Sequence, residues 1–276
     1  MFQPMKERTV ITRYEALGES RGLRAALVTD LHNCDHTDLL ELLREESPDL
    51  ILCAGDILER NDPGASVWTE KGIDAVIASI GKQTLRKKMM WVLDRITERN
   101  GEPTHRAEDI AIEFLKALPS IAPTFYSVGN HEWYFTDGDR QIFDEYGITL
   151  LDNADCEAEI KGNWLRIGGL STRYDLDWLR EYSRKDGYKI LMCHHPEYYR
   201  KAIQNTELDS FGLVVSGHYH GGQWRILNRS VYVPRTGLFM KSAAGQYGKL
   251  IISAGTSNTS RFSRFGNPCE LVMIKI

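Results

Sequence analysis

The chain lacks the features of secreted, membrane-spanning and nucleic-acid-binding proteins. Its 276 residues include only five cysteines and no Cys-x-x-Cys pair, so neither a disulfide framework nor a thiolate zinc site is expected. No apolar run approaches the roughly 18 residues of a membrane span, and the N-terminus contains no apolar core of a signal peptide. The formal charge of -4 offers no basic excess for nucleic acid. We therefore expect a globular cytoplasmic protein that does not bind nucleic acid.

The pattern of apolar residues predicts an α/β domain. Hydrophobic residues make up 42% of the chain and charged residues 26%, as in an average globular protein. Apolar runs at 23–29 and 50–54 flank an amphipathic helix at 37–46, and this order is typical of a parallel sheet with covered faces. The second half is richer in strand patterns. Because no linker or repeat divides the chain, we predict one domain over residues 1–276.

Residues from about 60 to 107 interrupt this alternation and predict a helical insertion. Apolar residues recur at helical spacing, as in Ile73, Val76, Ile77 and Ile80, while lysines and arginines fill the other positions. The simpler interpretation is a solvated basic face above an apolar core face. The alternative is a lid, or a helix that lies on a membrane surface, so contact with a membrane surface stays open.

Short polar clusters follow five of the predicted strands. The carboxyl ends of parallel strands converge on one edge of an α/β sheet, where ligands bind. Carboxylate, amide and imidazole groups together suit a first-row divalent ion better than calcium or a structural zinc. Each cluster alone is weak evidence, but five in succession predict a shared metal site. The clusters are Asp30-Leu31-His32, Gly55-Asp56, Gly129-Asn130-His131, His194-His195-Pro196 and Gly217-His218-Tyr219-His220.

The order of these clusters resembles that of the calcineurin-like metallophosphoesterase superfamily. Two further segments, 217–223 and 264–271, are similar to the YkuE/YaeI-type branch of bacterial phosphodiesterases. The resemblance covers the chain from about residue 9 to the C-terminus, apart from 60–107. It implies a four-layer αββα sandwich with two mixed β-sheets and a dinuclear metal centre at its edge. Members of the branch often begin with a membrane anchor, which we do not expect here, and the insertion is longer than the resemblance leads us to expect.

The resemblance also implies the ligands of two divalent ions. Manganese is the expected metal, with iron, zinc or nickel as alternatives that the same ligands accept. The implied ligands are Asp30, His32 and His220 for one ion, Asn130, His194 and His218 for the other, and Asp56 for both.

Other polar residues near these clusters receive separate interpretations. The resemblance implies that His131 binds no metal and acts as a catalytic residue that faces the phosphate and the leaving group. Arg173 follows a predicted strand and is a candidate phosphate contact, with a surface ion pair as the alternative. His195 occupies the variable position of His-x-Pro and is a weaker substrate-binding candidate. We interpret His36 as the solvated start of a helix and His105 as a surface residue.

The resemblance implies hydrolysis of a small phosphodiester or phosphomonoester by in-line attack of a metal-bridging hydroxide. Two alternatives stay open: a metal-dependent hydrolase of another class, such as an amidohydrolase or peptidase, and a non-catalytic metal-binding scaffold. The chain has no His-Glu-x-x-His motif, which disfavours the peptidase. The natural substrate (nucleotide, sugar phosphate, phospholipid or phosphoprotein) and the oligomeric state do not follow from the sequence.

Overall fold

Our computed structural model describes residues 9–60, 89, 90, 92–94, 96, 108–226, 229–234, 236–260 and 262–276. Most of the predicted insertion at 60–107, including His105, lies outside these ranges. The described residues between 89 and 96 are helical. The single-domain boundary and the character of the insertion therefore stay predictions.

The first sheet contains six strands and is mixed. Their order across the sheet is β1-β15-β2-β3-β4-β5, in which β15 runs antiparallel to β2 and every other pair is parallel. In the register of the central pair, Ala26 lies opposite Ile51. The strands are β1 (Val10–Glu15), β2 (Arg24–Val28), β3 (Leu50–Cys53), β4 (Thr124–Ser127), β5 (Thr149–Leu151) and β15 (Glu270–Lys275).

The second sheet also has six strands, in the order β13-β14-β9-β8-β7-β6. Its two outer pairs are antiparallel and its central pairs are parallel. The strands are β6 (Ala154–Ile160), β7 (Asn163–Leu170), β8 (Tyr188–Cys193), β9 (Leu213–Ser216), β13 (Gly245–Tyr247) and β14 (Leu250–Ile252). A small antiparallel sheet is formed by β10 (Trp224–Ile226), β11 (Arg229–Val233) and β12 (Gly237–Met240).

Within the described ranges, and apart from the helical residues between 89 and 96, five helices lie on the sheets or between their strands. The third begins at a capping box, in which Asp139 N donates to Thr136 Oγ1 at 3.1 Å and Thr136 N donates to Asp139 Oδ2 at 2.8 Å. It ends at Gly147, whose φ of 70° suits glycine. The helices are α1 (Thr37–Glu46), α2 (Glu108–Ala117), which runs into a 3₁₀ turn (Leu118–Ser120), α3 (Asp137–Tyr146), α4 (Leu176–Arg184) and α5 (Pro196–Tyr198), which continues as a π turn (Tyr199–Ile203).

Side-chain alternation along the strands builds the layers. In β2, Ala25 and Leu27 face the core between the two sheets, whereas Ala26 and Val28 face the core that contains Leu43 of α1. Each fully buried leucine of this kind contributes about 1.5–3 kcal/mol. The period of two explains why a strand buried on both faces has a continuous apolar sequence.

The second sheet is covered in the same way on its outer face. Leu191 and Cys193 of β8 pack with Leu179 and Tyr182 of α4, while Ile190 faces the core between the sheets. The layers are therefore helix, sheet, sheet, helix, which confirms the predicted αββα sandwich. Across the described ranges, none of the helices combines the length and apolar character needed to cross a bilayer. Cys53, Cys156 and Cys193 are free thiols.

Candidate metal centre

The loops that follow β2, β3, β4, β8 and β9 meet at one edge of the sandwich. His194 Nδ1, which follows β8 of the second sheet, lies 2.8 Å from the carbonyl oxygen of Ala54, which follows β3 of the first sheet. The backbone N–H of His218, after β9, donates to Asp30 Oδ1 at 3.1 Å. The five sequence clusters therefore occupy one small volume, as the strand order requires.

Asp30, His32 and His220 bring three donor atoms together. The Nε2 atoms of His32 and His220 are 3.1 Å apart. Asp30 Oδ1 lies 3.4 Å from His220 Nε2 and 3.9 Å from His32 Nε2. Asp30 is fully buried and His32 is 7% exposed. This group can hold a metal ion, and its members are the three residues that we expect to bind the first ion.

Asn130, His194 and His218 form a second set beside the first. Asn130 Oδ1 lies 3.1 Å from His194 Nε2 and 2.7 Å from His218 Nδ1. Asp56 stands between the sets, because its Oδ2 is 3.1 Å from His194 Nε2 and 3.8 Å from His32 Nε2. The structure thus brings together all seven residues that were predicted as ligands, with Asp56 in the central position.

Burial makes this group of side chains favourable for a cation. Burial raises the pKa of Asp30, and burial followed by neighbouring histidines lowers the pKa of His218 and of His220 well below the usual value. Neutral imidazoles are the form that binds metals. Burial also raises the pKa of Asp56, but the charge of His194 outweighs it and the pKa falls well below the usual value. A buried carboxylate of this kind is stabilised by a cation bound beside it.

The backbone is strained at the same positions. Non-glycine residues rarely adopt a left-handed φ, and each such position costs about 1–3 kcal/mol unless the surroundings enforce it. Strain of this kind concentrates at functional sites. The ligand residues with a left-handed φ are Asp30 (56°), His32 (51°), Asp56 (57°), His218 (74°) and His220 (49°).

A glycine allows the loops after β3 and β4 to approach each other. A Cβ on Gly129 would lie 2.6 Å from the backbone nitrogen of Asp56, which is closer than real Cβ atoms come. The backbone N–H of His131 then donates to Asp56 Oδ1 at 2.8 Å. Glycine is therefore required at position 129 because there is no room for a Cβ atom, and not because of its backbone φ.

His131 lies at the rim of the group and is bound by Glu59, a residue that the sequence analysis missed. His131 Nδ1 is 2.9 Å from Glu59 Oε2, while Glu59 Oε1 is 2.6 Å from His32 Nδ1. The side chain of His131 is 28% exposed, so it can reach a molecule outside the group. Burial lowers the pKa of His131, but Asp56 and Glu59 outweigh it and raise the pKa to about 9.

Glu132 holds the loops after β3 and β4 together and was also missed. It is fully buried, and its carboxylate accepts from the backbone N–H groups of Ile57 and Leu58 at 2.8 and 3.0 Å and from that of Gly129 at 2.8 Å. The hydroxyl of Tyr126 donates to the same carboxylate. Its position directly after His131 was the available signal, because a charged residue so close to a buried strand needs several partners.

The C-terminal motif 264–271 reaches the first set of donors. Arg264 Nη2 lies 3.1 Å from His220 Nδ1, and Arg264 Nη1 donates to the carbonyl of Ala254 at 2.7 Å. Asn267 Nδ2 donates to the carbonyl of His220 at 2.7 Å. The motif therefore fixes the backbone and the ring of His220, although neither residue was predicted at the site.

The substrate-binding candidates lie beside the donors rather than among them. Arg173 donates to the carbonyl of Trp133 at 3.1 Å and pairs with Asp152. His195 is 7% exposed, with Nε2 2.8 Å from Thr172 Oγ1. Substrate binding by Arg173 or His195 stays a prediction.

His36 lies at the start of α1, as expected, but it is only half-solvated. Its ring centroid is 5.1 Å from that of Phe114, and its Nδ1 is buried without a hydrogen-bond partner. His36 therefore begins the helix, as interpreted, and is partly buried because α2 packs against it.

A model of the calcineurin-like phosphoesterases matches residues 23–222. This range contains all seven predicted ligands and His131. The chain belongs to the calcineurin-like phosphoesterase family. The YkuE/YaeI-type branch within it stays a prediction.

Curated relatives of the chain include bacterial proteins of low identity. YpbG of Bacillus subtilis is 25% identical over 285 aligned positions, which cover 100% of this chain and 90% of YpbG. A metallophosphoesterase of Helicobacter pylori strain 26695 is 26% identical over 180 positions, 59% of this chain and 45% of that protein. Metallophosphoesterase Cj0846 of Campylobacter jejuni is 22% identical over 93% of this chain and 59% of its own length. This chain of the calcineurin-like phosphoesterase family thus spans about half the length of the latter two.

Solved structures of similar shape include a 5'-nucleotidase precursor from Thermus thermophilus, with a TM-score of 0.40 and 11% identity over 77% of this chain and 44% of that chain. The phosphopantetheinyl hydrolase of Mycobacterium tuberculosis has a TM-score of 0.35 and 13% identity over 71% of this chain and 83% of that chain.

Proposed function

We propose that this family member is a phosphoesterase that depends on two divalent metal ions and hydrolyses a small phosphodiester or phosphomonoester. The observation that carries the proposal is the position of Asp56 between two sets of donors, within 3.1 Å of His194 Nε2 and 3.8 Å of His32 Nε2. The donor set of oxygen and imidazole ligands fits manganese, our preferred metal, and also iron, zinc or nickel.

Asp30, His32 and His220 would hold one ion, Asn130, His194 and His218 the other, and Asp56 both. When bound, two such ions supply a nucleophile from water at neutral pH and neutralise charge on the phosphoryl oxygens. The chain itself orients these ligands: the carbonyl of Ala54 lies against His194 Nδ1 at 2.8 Å, and Glu59 binds His32 Nδ1 at 2.6 Å. Partners of this kind fix the ring orientation and the tautomer of a metal-binding histidine.

His131 supplies the acid in this proposal. Because Glu59 binds Nδ1 at 2.9 Å, the proton that His131 transfers to a leaving oxygen is the one on Nε2. The charges of Glu59 and Asp56 favour the protonated ring. A general acid of this type lowers the barrier for departure of an alkoxide.

Hydrolysis of bis-p-nitrophenyl phosphate is the first test. We expect the purified protein to release p-nitrophenol in the presence of Mn²⁺, to lose this activity on chelation and to recover it when Mn²⁺ is added back. Peptide and amide substrates should not be cleaved. Tight Mn²⁺ binding with no hydrolysis of phosphodiesters or phosphomonoesters would instead favour the non-catalytic scaffold.

Glu59→Gln is expected to change the pH dependence of that reaction. The carboxylate raises the pKa of His131, so removing its charge lowers that pKa. Since His131 acts in its protonated form, activity should be lost at a lower pH on the basic side of the profile, while the acidic side changes less. Initial rates across the pH range check this, with Glu145→Gln on the exposed face of α3 as the control. An unchanged basic side would show that Glu59 does not act on the titrating group.

A further inference from the structure

His218 presents its two ring nitrogens to different partners. Nδ1 lies 2.7 Å from Asn130 Oδ1 and so faces the second set of donors. Nε2 lies 3.8 Å from Glu197 Oε1. A neutral histidine that binds a metal through Nδ1 carries its proton on Nε2, and this proton needs an acceptor to fix the ring.

Glu197 is built into the fold at a defined position behind His218. It follows Pro196 in α5, directly after the loop that carries His194. Its Oε2 accepts from the hydroxyl of Tyr219 at 2.9 Å, so the chain neighbour of His218 holds the carboxylate.

His195 completes the surroundings of Glu197. Its Nδ1 is buried without a well-oriented hydrogen bond and lies 3.4 Å from Glu197 Oε1, while its ring centroid is 4.2 Å from that of His218. Thr172 Oγ1 is 2.8 Å from Nε2 of His195. If the threonine hydroxyl donates there, the proton of His195 lies on Nδ1 and faces the carboxylate. Glu197 thus accepts a hydrogen bond from Tyr219 and lies within ion-pair distance of His195 and His218, of which His218 alone belongs to the predicted metal ligands.

We propose that Glu197 is a positioning residue that acts through His218 and sets the affinity of the second metal position. Its carboxylate attracts the Nε2–H group of His218 electrostatically across 3.8 Å and so keeps Nδ1 turned toward Asn130 and His194. The first position, formed by Asp30 and His32 with His220, does not contact Glu197. The inference rests on the proposed function, because it requires that two ions bind.

Mn²⁺ titration of Glu197→Gln tests this role without relying on activity. We expect the second ion to bind about 10- to 100-fold more weakly than in the unaltered protein, the usual effect of losing an outer partner of a metal ligand, and the first ion to bind unchanged. Calorimetry measures both affinities, and electron paramagnetic resonance distinguishes an exchange-coupled manganese pair from isolated ions. Glu207→Gln, at an exposed position, is the matched control.

Turnover of the same variant distinguishes a positioning role of Glu197 from a folding defect caused by the substitution. With Glu197→Gln, activity should return toward that of the control as Mn²⁺ is raised to saturate the second position, whereas a folding defect would not respond. Equal weakening of both ions, or no weakening in either Glu197→Gln or Glu197→Ala, overturns the inference. If the unaltered protein binds two ions and hydrolyses phosphoesters in that case, the proposed function stands and only the role of Glu197 is lost.

Discussion

Asp56→Asn is expected to remove most of the activity and at least one of the two metal ions. Asp56 is 2% exposed and stands between both sets of donors, so the substitution deletes the charge that both ions share. Metal ions supply several kcal/mol of transition-state stabilisation, and losing it lowers turnover by about 10³-fold or more. Elemental analysis and initial rates on bis-p-nitrophenyl phosphate check the two effects together.

The matched control for this substitution is Asp144→Asn, on the exposed face of α3. It removes the same charge from the protein without altering the metal group, so metal content and turnover should remain those of the unaltered chain. If Asp56→Asn retained two ions and full activity, Asp56 would not be the shared ligand.

His131→Ala should lower turnover without lowering the metal content, unlike Asp56→Asn, which is expected to lower both. The predicted ligands are untouched, so the metal content should stay that of the unaltered protein. Loss of a general acid lowers turnover by about 10²- to 10⁴-fold. The basic side of the pH profile, which we assign to His131, should disappear in the variant. Turnover, pH profile and metal content measured on one preparation test this role.

His36→Gln is a suitable control, because it removes a histidine at the start of α1 that lies outside the predicted metal group. Its turnover should match that of the unaltered protein. A loss of metal from His131→Ala, rather than a loss of turnover, would contradict the role of His131 as an acid and would make it a ligand.

The meeting of the seven predicted ligands at one edge could be foreseen from the sequence, because each follows a strand within a few residues. Asp30 and His32 come directly after the apolar run of β2, and the topology of the sheet then brings them to the edge that Asp56 and Asn130 share. The family pattern contributed the division into two sets. The geometry agrees with that division, in that His220 lies with Asp30 and His218 with Asn130.

Glu59 and Glu197 could not be assigned from the sequence, because their roles depend on residues far away in the chain. Glu59 binds His131 across 72 positions, and Glu197 approaches His218 only after β9 has paired with β8. Acidic residues in surface loops are common, so neither position is distinctive before the loops are brought together.

The sequence analysis did not predict α3 and α4, although both carry local signals in the sequence. The Thr136 and Asp139 pair that forms the capping box of α3, and Gly147 at its end, are visible in the sequence. Asp175 likewise accepts from two backbone N–H groups at the start of α4. By contrast, β10, β11 and β12 are only three to five residues long, and such short strands depend on pairing with one another rather than on a local pattern.

The most direct test of the account is a crystal structure of the protein grown with Mn²⁺, with anomalous scattering recorded at the manganese edge. The account predicts two anomalous peaks about 3.5–4 Å apart, one bound by Asp30, His32 and His220, the other by Asn130, His194 and His218, with Asp56 bound to both. No manganese at this edge of the sandwich, or a single ion that does not contact Asp56, would contradict it.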